Sequence, residues 1–160
     1  MLKEILKILE DDARAAPERI AKMVNLPPDE VARLISEAEA DRTILKYKTI
    51  IDWAKAGNDH VWALIEVKVT PEPEAGFDSV AERVARFPQV RSAYLASGTY
   101  DLLLIVLGKT EREIGDFVSQ KLSHVASVQG TVTHFVLKRY KEDGEPLKGA
   151  EEVRRQAVVL

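Results

Sequence analysis

The chain has 160 residues, with 23 Lys or Arg against 26 Asp or Glu, a formal net charge of -3 and no cysteine. That length allows one domain or two small ones. The lack of cysteine excludes disulfides, thiolate zinc sites and cysteine nucleophiles, and it suits a reducing compartment.

No apolar run approaches the ~20 residues of a membrane-spanning helix. Met1-Leu2-Lys3-Glu4-Ile5-Leu6 mixes acid and base at helical spacing, unlike a signal peptide. A cytoplasmic location with no membrane partner is therefore expected. Residues 1–52 are predicted to form a small helical unit. Leu2, Ile5, Leu6 and Leu9 give a first apolar stripe. Pro17 opens a second helix, with Ile20, Ala21 and Val24 on its buried face. Asn25-Leu26-Pro27-Pro28-Asp29 is a tight connection, because its prolines fix the backbone and remove donors. In a third helix Val31, Leu34, Ile35 and Ala38 face the core, while Glu30, Arg33, Ser36 and Glu37 face outward. Thr43 to Ile50 alternates and predicts a strand pair, or wing. Three short helices, a tight second turn and a wing make a winged helix-turn-helix.

Residues 53–59, polar and holding Gly57, read as a linker. Trp53 and Trp62 flank it and are expected to pack the domains together. Val61, Ala63, Ile65, Val67 and Val69 alternate as a strand that Pro71 and Pro73 end. Glu72 and Glu74, among those prolines, read as a solvated loop. Phe77, Val80, Ala81, Val84 and Ala85 give a helix that stops before Pro88. Val90 to Ala96 and Leu102 to Leu107 are strands joined at Gly98. Ile114, Phe117, Val118 and Leu122 mark a second helix, and Val128 to Leu137 a last strand. Residues 60–140 thus follow the βαββαβ order of a ferredoxin-like domain. The predicted fold class is α+β, with 141–160 as a charged tail. Its apolar end, Ala157-Val158-Val159-Leu160, reads either as a frayed terminus or as a strand added to a neighbour. Leu102 to Leu107 is apolar at every position, so both faces of that strand should be buried. Helices cover one face, and a second subunit is the expected cover for the other, the alternative being the chain's own tail folded over it.

The hairpin Ser97-Gly98-Thr99-Tyr100-Asp101 sets one acid at the mouth of the apolar strand. Read alone, it is either a glycine turn with a capping aspartate or a small-ligand loop. His60, His124 and His134 lack metal-ligand spacing, so no metal is expected. With no P-loop, GxGxxG or GxSxG, no cofactor and no enzymatic activity are expected.

A helix-turn-helix unit, a ferredoxin-like order and the Ser97-Gly98-x-Tyr100-Asp101 hairpin occur together in one short chain. In this the sequence resembles the Lrp/AsnC, or feast/famine, family of transcription regulators from Leu2 to about Lys141. The resemblance implies a sequence-specific DNA-binding regulator modulated by an amino acid or related metabolite. It also implies homodimers that pair through their sheets and assemble further, commonly to octamers, with the effector between dimers. Carried over by position, the effector site is Ser97, Gly98, Thr99, Tyr100, Asp101, Thr131 and Thr133. Asp101 would accept a ligand ammonium, while N–H groups around Gly98 and a threonine hydroxyl would hold its carboxylate. The DNA-facing residues are Lys22, Arg33, Ser36, Arg42, Lys46 and Lys48.

The chain departs from the family on its third helix. Leu34 follows Arg33 where a second base is usual, and Ser36 and Glu37 stand where more bases are common. From Asp29 to Asp41, five acids oppose one base, a net of -4. Arg42 replaces the family's glycine before the wing. Phosphate contacts depend on cations, so weak or avidity-dependent DNA binding is one expectation. An amino-acid-binding oligomer that no longer reads DNA is the alternative. A decarboxylase-like homologue of the haem pathway would need basic and histidine groups around a tetrapyrrole, and the sequence shows no such cluster.

Overall fold

A computed structural model describes residues 1–57 and 60–147, and the chain divides into two units between Ile51 and Asp52. The apolar terminal run Ala157 to Leu160 lies outside the described residues.

The first unit holds α1 (Leu2–Asp11), α2 (Pro17–Val24) and α3 (Pro28–Ala40). Pro17 and Pro28 each stand at a helix start, where the missing N–H costs nothing. Helix α2 ends at Asn25, which takes the left-handed conformation (φ 54°), and the Leu26 N–H closes onto the Ala21 carbonyl at 3.1 Å. Ile5, Ile20 and Val31 meet in a core with no exposure, and Leu34, Ile35 and Ile44 pack around it.

The strand pair predicted over Thr43–Ile50 is absent: this stretch is irregular and makes no ladder. A two-stranded wing needs a reversal, and no Gly, Asn, Asp or Pro lies between Thr43 and Ile50. The chain turns earlier, at Arg42, whose φ is 63°. The arm is tied back to α3 instead. Ile44 N–H donates to the Ala38 carbonyl at 2.8 Å, and the Tyr47 hydroxyl donates to Glu39 Oε1 at 2.7 Å. Desolvation first, and the Glu39 carboxylate second, push the Tyr47 phenol up to about 12. An arginine in a glycine conformation carries strain. Arg42→Gly is therefore expected to stabilise the first unit by about 0.5–1 kcal/mol, read as a rise in its melting temperature. An unchanged or lower melting point would refute strain at Arg42.

The second unit is a four-stranded antiparallel sheet in the order β2-β3-β1-β4: β1 (Val61–Val69), β2 (Val90–Leu95), β3 (Leu102–Gly108) and β4 (Val128–Phe135). Helices α4 (Asp78–Ala85) and α5 (Glu111–Gln120) complete the ferredoxin-like order. Val80, Val84, Ile114 and Phe117 from the helices pack with Ile65, Val67, Leu104 and Val106 from the sheet. Thr110 caps α5 by accepting the Glu113 N–H at 3.1 Å, and Glu113 reaches back to the Lys109 N–H at 2.7 Å. At Gly108 a Cβ would come within 2.8 Å of Ile114 Cγ1, so glycine lets β3 run against α5.

Along β3, burial alternates. Leu102, Leu104 and Val106 are buried, while Leu103, Ile105 and Leu107 are half-buried. The side of the sheet away from the helices also carries Trp62, Leu64, Tyr94 and Val132, with Leu64, Tyr94 and Val132 exposed. Near its centre His134 Nε2 lies 3.2 Å from Glu66 Oε1.

Glu72 does not belong to a solvated loop. Its carboxylate accepts from Ser79 on α4, from Arg83 on α4 and from Ser127 before β4, the last at 3.0 Å. These bonds, led by Ser79, hold the carboxyl below the usual glutamate range. A depressed folded pKa stabilises above the unfolded pKa of about 4.3 and is lost as pH falls. Glu72→Gln is thus expected to lower the melting temperature of this unit by roughly 4–8 °C at pH 7. The gap should close below about pH 4, and a gap independent of pH would exclude the ionic role.

The start of the predicted tail is ordered as a small hairpin, β5 (Lys141–Glu142) with β6 (Glu145–Pro146), turning through Asp143 and Gly144, both at positive φ. The two tryptophans find partners within the second unit. Trp53 meets His60 edge-on at 6.1 Å, and the Arg139 guanidinium lies over Trp62 at 4.6 Å.

Candidate effector hairpin and DNA-facing helix

The β2–β3 hairpin closes where the Ala96 N–H donates to the Asp101 carbonyl at 2.9 Å. Gly98 sits at φ 137°, which an L side chain rarely adopts, and Ser97, Gly98 and Thr99 are exposed. Tyr100 is half-buried. Asp101 leads into β3 and is locked to β1 from both sides of its backbone and side chain. Its N–H donates to the Val67 carbonyl at 3.0 Å, its Oδ2 accepts the Val69 N–H at 2.9 Å, and its Oδ1 lies 3.2 Å from Lys68 Nζ. The register of β1 against β4 shifts between Lys68 and Val69, so the carboxylate satisfies a backbone donor at a bulge. That N–H, together with the Lys68 ammonium and against a burial penalty, holds Asp101 below the usual carboxylate range. The Asp101 side chain is only 16% exposed, against 51% for Lys68.

Thr131 and Thr133 stand on β4 opposite Val67 and Ile65, both half-buried on the helix side of the sheet. Val67 also pairs with Leu102. The Asp101 end of β3 and Thr131 therefore flank β1 at the same end of the sheet, two strand spacings or roughly 10 Å apart. Thr133 lies one pleat repeat further along. Lys68 was not anticipated from sequence, although it is the only lysine or arginine between Lys55 and Arg83. Among the described residues, no group of His, Asp and Glu is placed to hold a metal ion.

On α3, Arg33, Ser36 and Glu37 are exposed on one side while Val31 and Ala38 are buried on the other. Arg33 is held within its own helix. Its Nη2 and Nε meet the two Glu30 oxygens at 2.7 and 3.1 Å, and its Nη1 meets Glu37 Oε1 at 2.5 Å. Glu30 and Glu37 raise the arginine's pKa further, and the Arg33 bond lowers that of Glu30. Lys22, in the last turn of α2, and Arg42, Lys46 and Lys48, around the arm, are exposed.

Residues 62–146 match the family model described as the Lrp/AsnC ligand binding domain. The chain is 46% identical over 156 residues to YugG of Bacillus subtilis (strain 168), an uncharacterised HTH-type transcriptional regulator, covering 97% of this chain and 94% of that one. It is 32% identical to the HTH-type transcriptional regulator FL11 of Pyrococcus horikoshii, covering 91% and 94% of the two chains. In fold it is similar to the leucine response regulatory protein LrpA of Mycobacterium tuberculosis, with TM-score 0.73, 18% identity and 92% and 97% of the two chains covered. A Neisseria meningitidis regulator solved with L-Met gives TM-score 0.69 at 23% identity, covering 90% and 92%. The relatives similar in sequence are named as regulators, not as enzymes. With a family model over more than half its length and a relative nearly half identical along almost all of it, the chain belongs to the Lrp/AsnC family of HTH-type transcriptional regulators and carries that family's ligand-binding domain.

Proposed function

We propose that this protein is a cytoplasmic, sequence-specific DNA-binding regulator whose grip on DNA responds to an amino acid or a closely related metabolite. The observation that carries this reading is the pairing, in one chain, of a helix-turn-helix unit with a hairpin whose Asp101 stands beside the opposite charge of Lys68 on β1. Lys22, Arg33, Ser36, Arg42, Lys46 and Lys48 would face the DNA. Ser97 to Asp101, with Thr131 and Thr133, would receive the effector in a homodimer or larger ring.

The chemistry of the hairpin suits a zwitterion. A carboxylate offers about four lone-pair positions, and Asp101 uses two of them, on Val69 and Lys68. A ligand ammonium would take the place of Lys68 Nζ, which is the more exposed partner. Freed, Lys68 would be available to meet the ligand's own carboxylate.

Asp101→Asn keeps the shape and removes the charge. Calorimetry with pooled amino acids is expected to show binding by the wild type and at least a tenfold loss in the variant, the scale of one charge-assisted bond. Equal affinity in both would leave the hairpin as architecture. The same variant is expected to melt lower at neutral pH. A folded pKa below the unfolded value of about 3.9 stabilises above that value and is lost as pH falls further, through the folded pKa, so the two proteins should converge in strong acid. DNA selection at low salt, with and without pooled amino acids, tests the regulator reading as a whole. The second reading, a sensor without DNA binding, is favoured by one observation: Arg33, the base on α3, is already paired with two acids. Failure to enrich any sequence would select it.

A further inference from the structure

A helix that contacts DNA lies against a lattice of phosphates, and its affinity for any sequence grows with each cation it can commit to them. Helix α3 commits none freely. Arg33 is its one base, and the side-on edge of that guanidinium, Nε with Nη2, is closed by Glu30 in a two-bond fork. The opposite nitrogen, Nη1, is closed by Glu37 one turn further on. The spacing is i–3 and i+4 about a single arginine, so both acids lie on the exposed face that carries Ser36. The group as a whole bears one net negative charge where the helix would meet phosphate.

An arginine contacts phosphate or a guanine edge best through two parallel N–H bonds. Here each edge of the fork has at least one nitrogen engaged, so Arg33 must leave a carboxylate before it can make either contact. The acids it leaves then face the phosphates unpaired and repel them. Exposed ion pairs of this kind are labile, so the arrangement is a bias that a well-fitting site can overcome, not a lock. Glu39 does not join the group, since it accepts from Tyr47 on the arm.

We infer that Glu30 and Glu37 are specificity determinants of the DNA-facing helix: by holding Arg33 and opposing phosphate, they suppress sequence-independent binding. This rests on the DNA-binding reading above, and it adds that the acids on α3 act against unselected DNA instead of abolishing binding.

The test uses the full chain and a mixed-sequence duplex, titrated between about 50 and about 200 mM salt. Three proteins are compared: wild type, Glu30→Gln with Glu37→Gln, and that pair combined with Arg33→Ala. All three positions lie on the solvent side of α3, and matching thermal melts check that the helix survives. The double variant is expected to bind the mixed duplex at least about tenfold tighter at the lower salt, with a salt slope steeper by about one per helix. Adding Arg33→Ala should remove that gain. A double variant no tighter than a binding wild type would overturn the inference and leave the DNA reading standing. A gain that persists without Arg33 would also overturn it, because general charge would then be the cause. No binding by either wild type or double variant would overturn both.

Discussion

Leu104→Ala is expected to destabilise the second unit by about 2–5 kcal/mol, the usual cost of emptying a closed core position. Leu104 has no exposure, sits on β3 between Ala93 of β2 and Ile65 of β1, and faces the helices. Ile65, Val80, Val84 and Phe117 belong to the same core. The sheet is fixed by ladders on both sides of β3, so its backbone cannot collapse into the space left by the leucine. For a domain near this size the loss corresponds to roughly 10–30 °C in melting temperature. Differential calorimetry can follow this unit separately from the helix-turn-helix unit, whose transition should not move. A loss below about 1 kcal/mol would mean that β3 is not the central strand of a tightly packed core.

The contrast between Leu104 and its neighbours shows what was legible in the sequence and what was not. The alternation of Val61, Ala63, Ile65, Val67 and Val69 declares a strand with one buried side, because side-chain direction repeats every two residues. The run Leu102 to Leu107 declares a central strand for the same reason. The helices are equally legible from their apolar stripes and from Pro17, whereas Pro28 at the start of α3 and the Thr110-Glu113 cap of α5 emerged only in the structure. Misreadings fall where local pattern has no tertiary partner. Thr43 to Ile50 alternates like a strand but has no residue that can reverse it, so no second strand pairs with it. Asp143-Gly144 is a strong hairpin signal that the surrounding charge concealed.

Side-chain networks were the least legible. Glu72 is separated by 55 residues from Ser127, and Asp101 by 32 from Val69, so neither contact has a sequence period to announce it. Within α3 the situation differs: Glu30, Arg33 and Glu37 stand at helical spacing, and their pairing follows from the sequence once the helix is accepted. The hairpin Ser97 to Asp101 was visible as a motif, but its bond to the β1 bulge was not.

The open side of the sheet supports the second large prediction. If the protein pairs through this face, as proposed, Ile105→Asp is expected to convert it to monomers while leaving the second unit folded. Ile105 lies opposite Leu64 on β1 and beside Ser92 on β2, and it points away from the core formed by Leu104 and Val106. In a single chain it is only half-buried, and the apolar side chains around it include exposed Leu64 and Tyr94. Such a surface, apolar apart from the His134–Glu66 pair, is the kind that protein partners cover. If two sheets pack face to face about a two-fold axis, one substitution enters the interface twice. A buried carboxylate without a partner costs about 3–5 kcal/mol. The dissociation constant should therefore rise by at least about two decades. In a free monomer the new carboxylate meets water, so the melting temperature measured at low concentration should change little. Light scattering across a dilution series reads the first effect, and circular dichroism the second. An assembly that survives Ile105→Asp intact would place the subunit contact elsewhere, and a variant that fails to fold would mean that this face is part of the domain's own core.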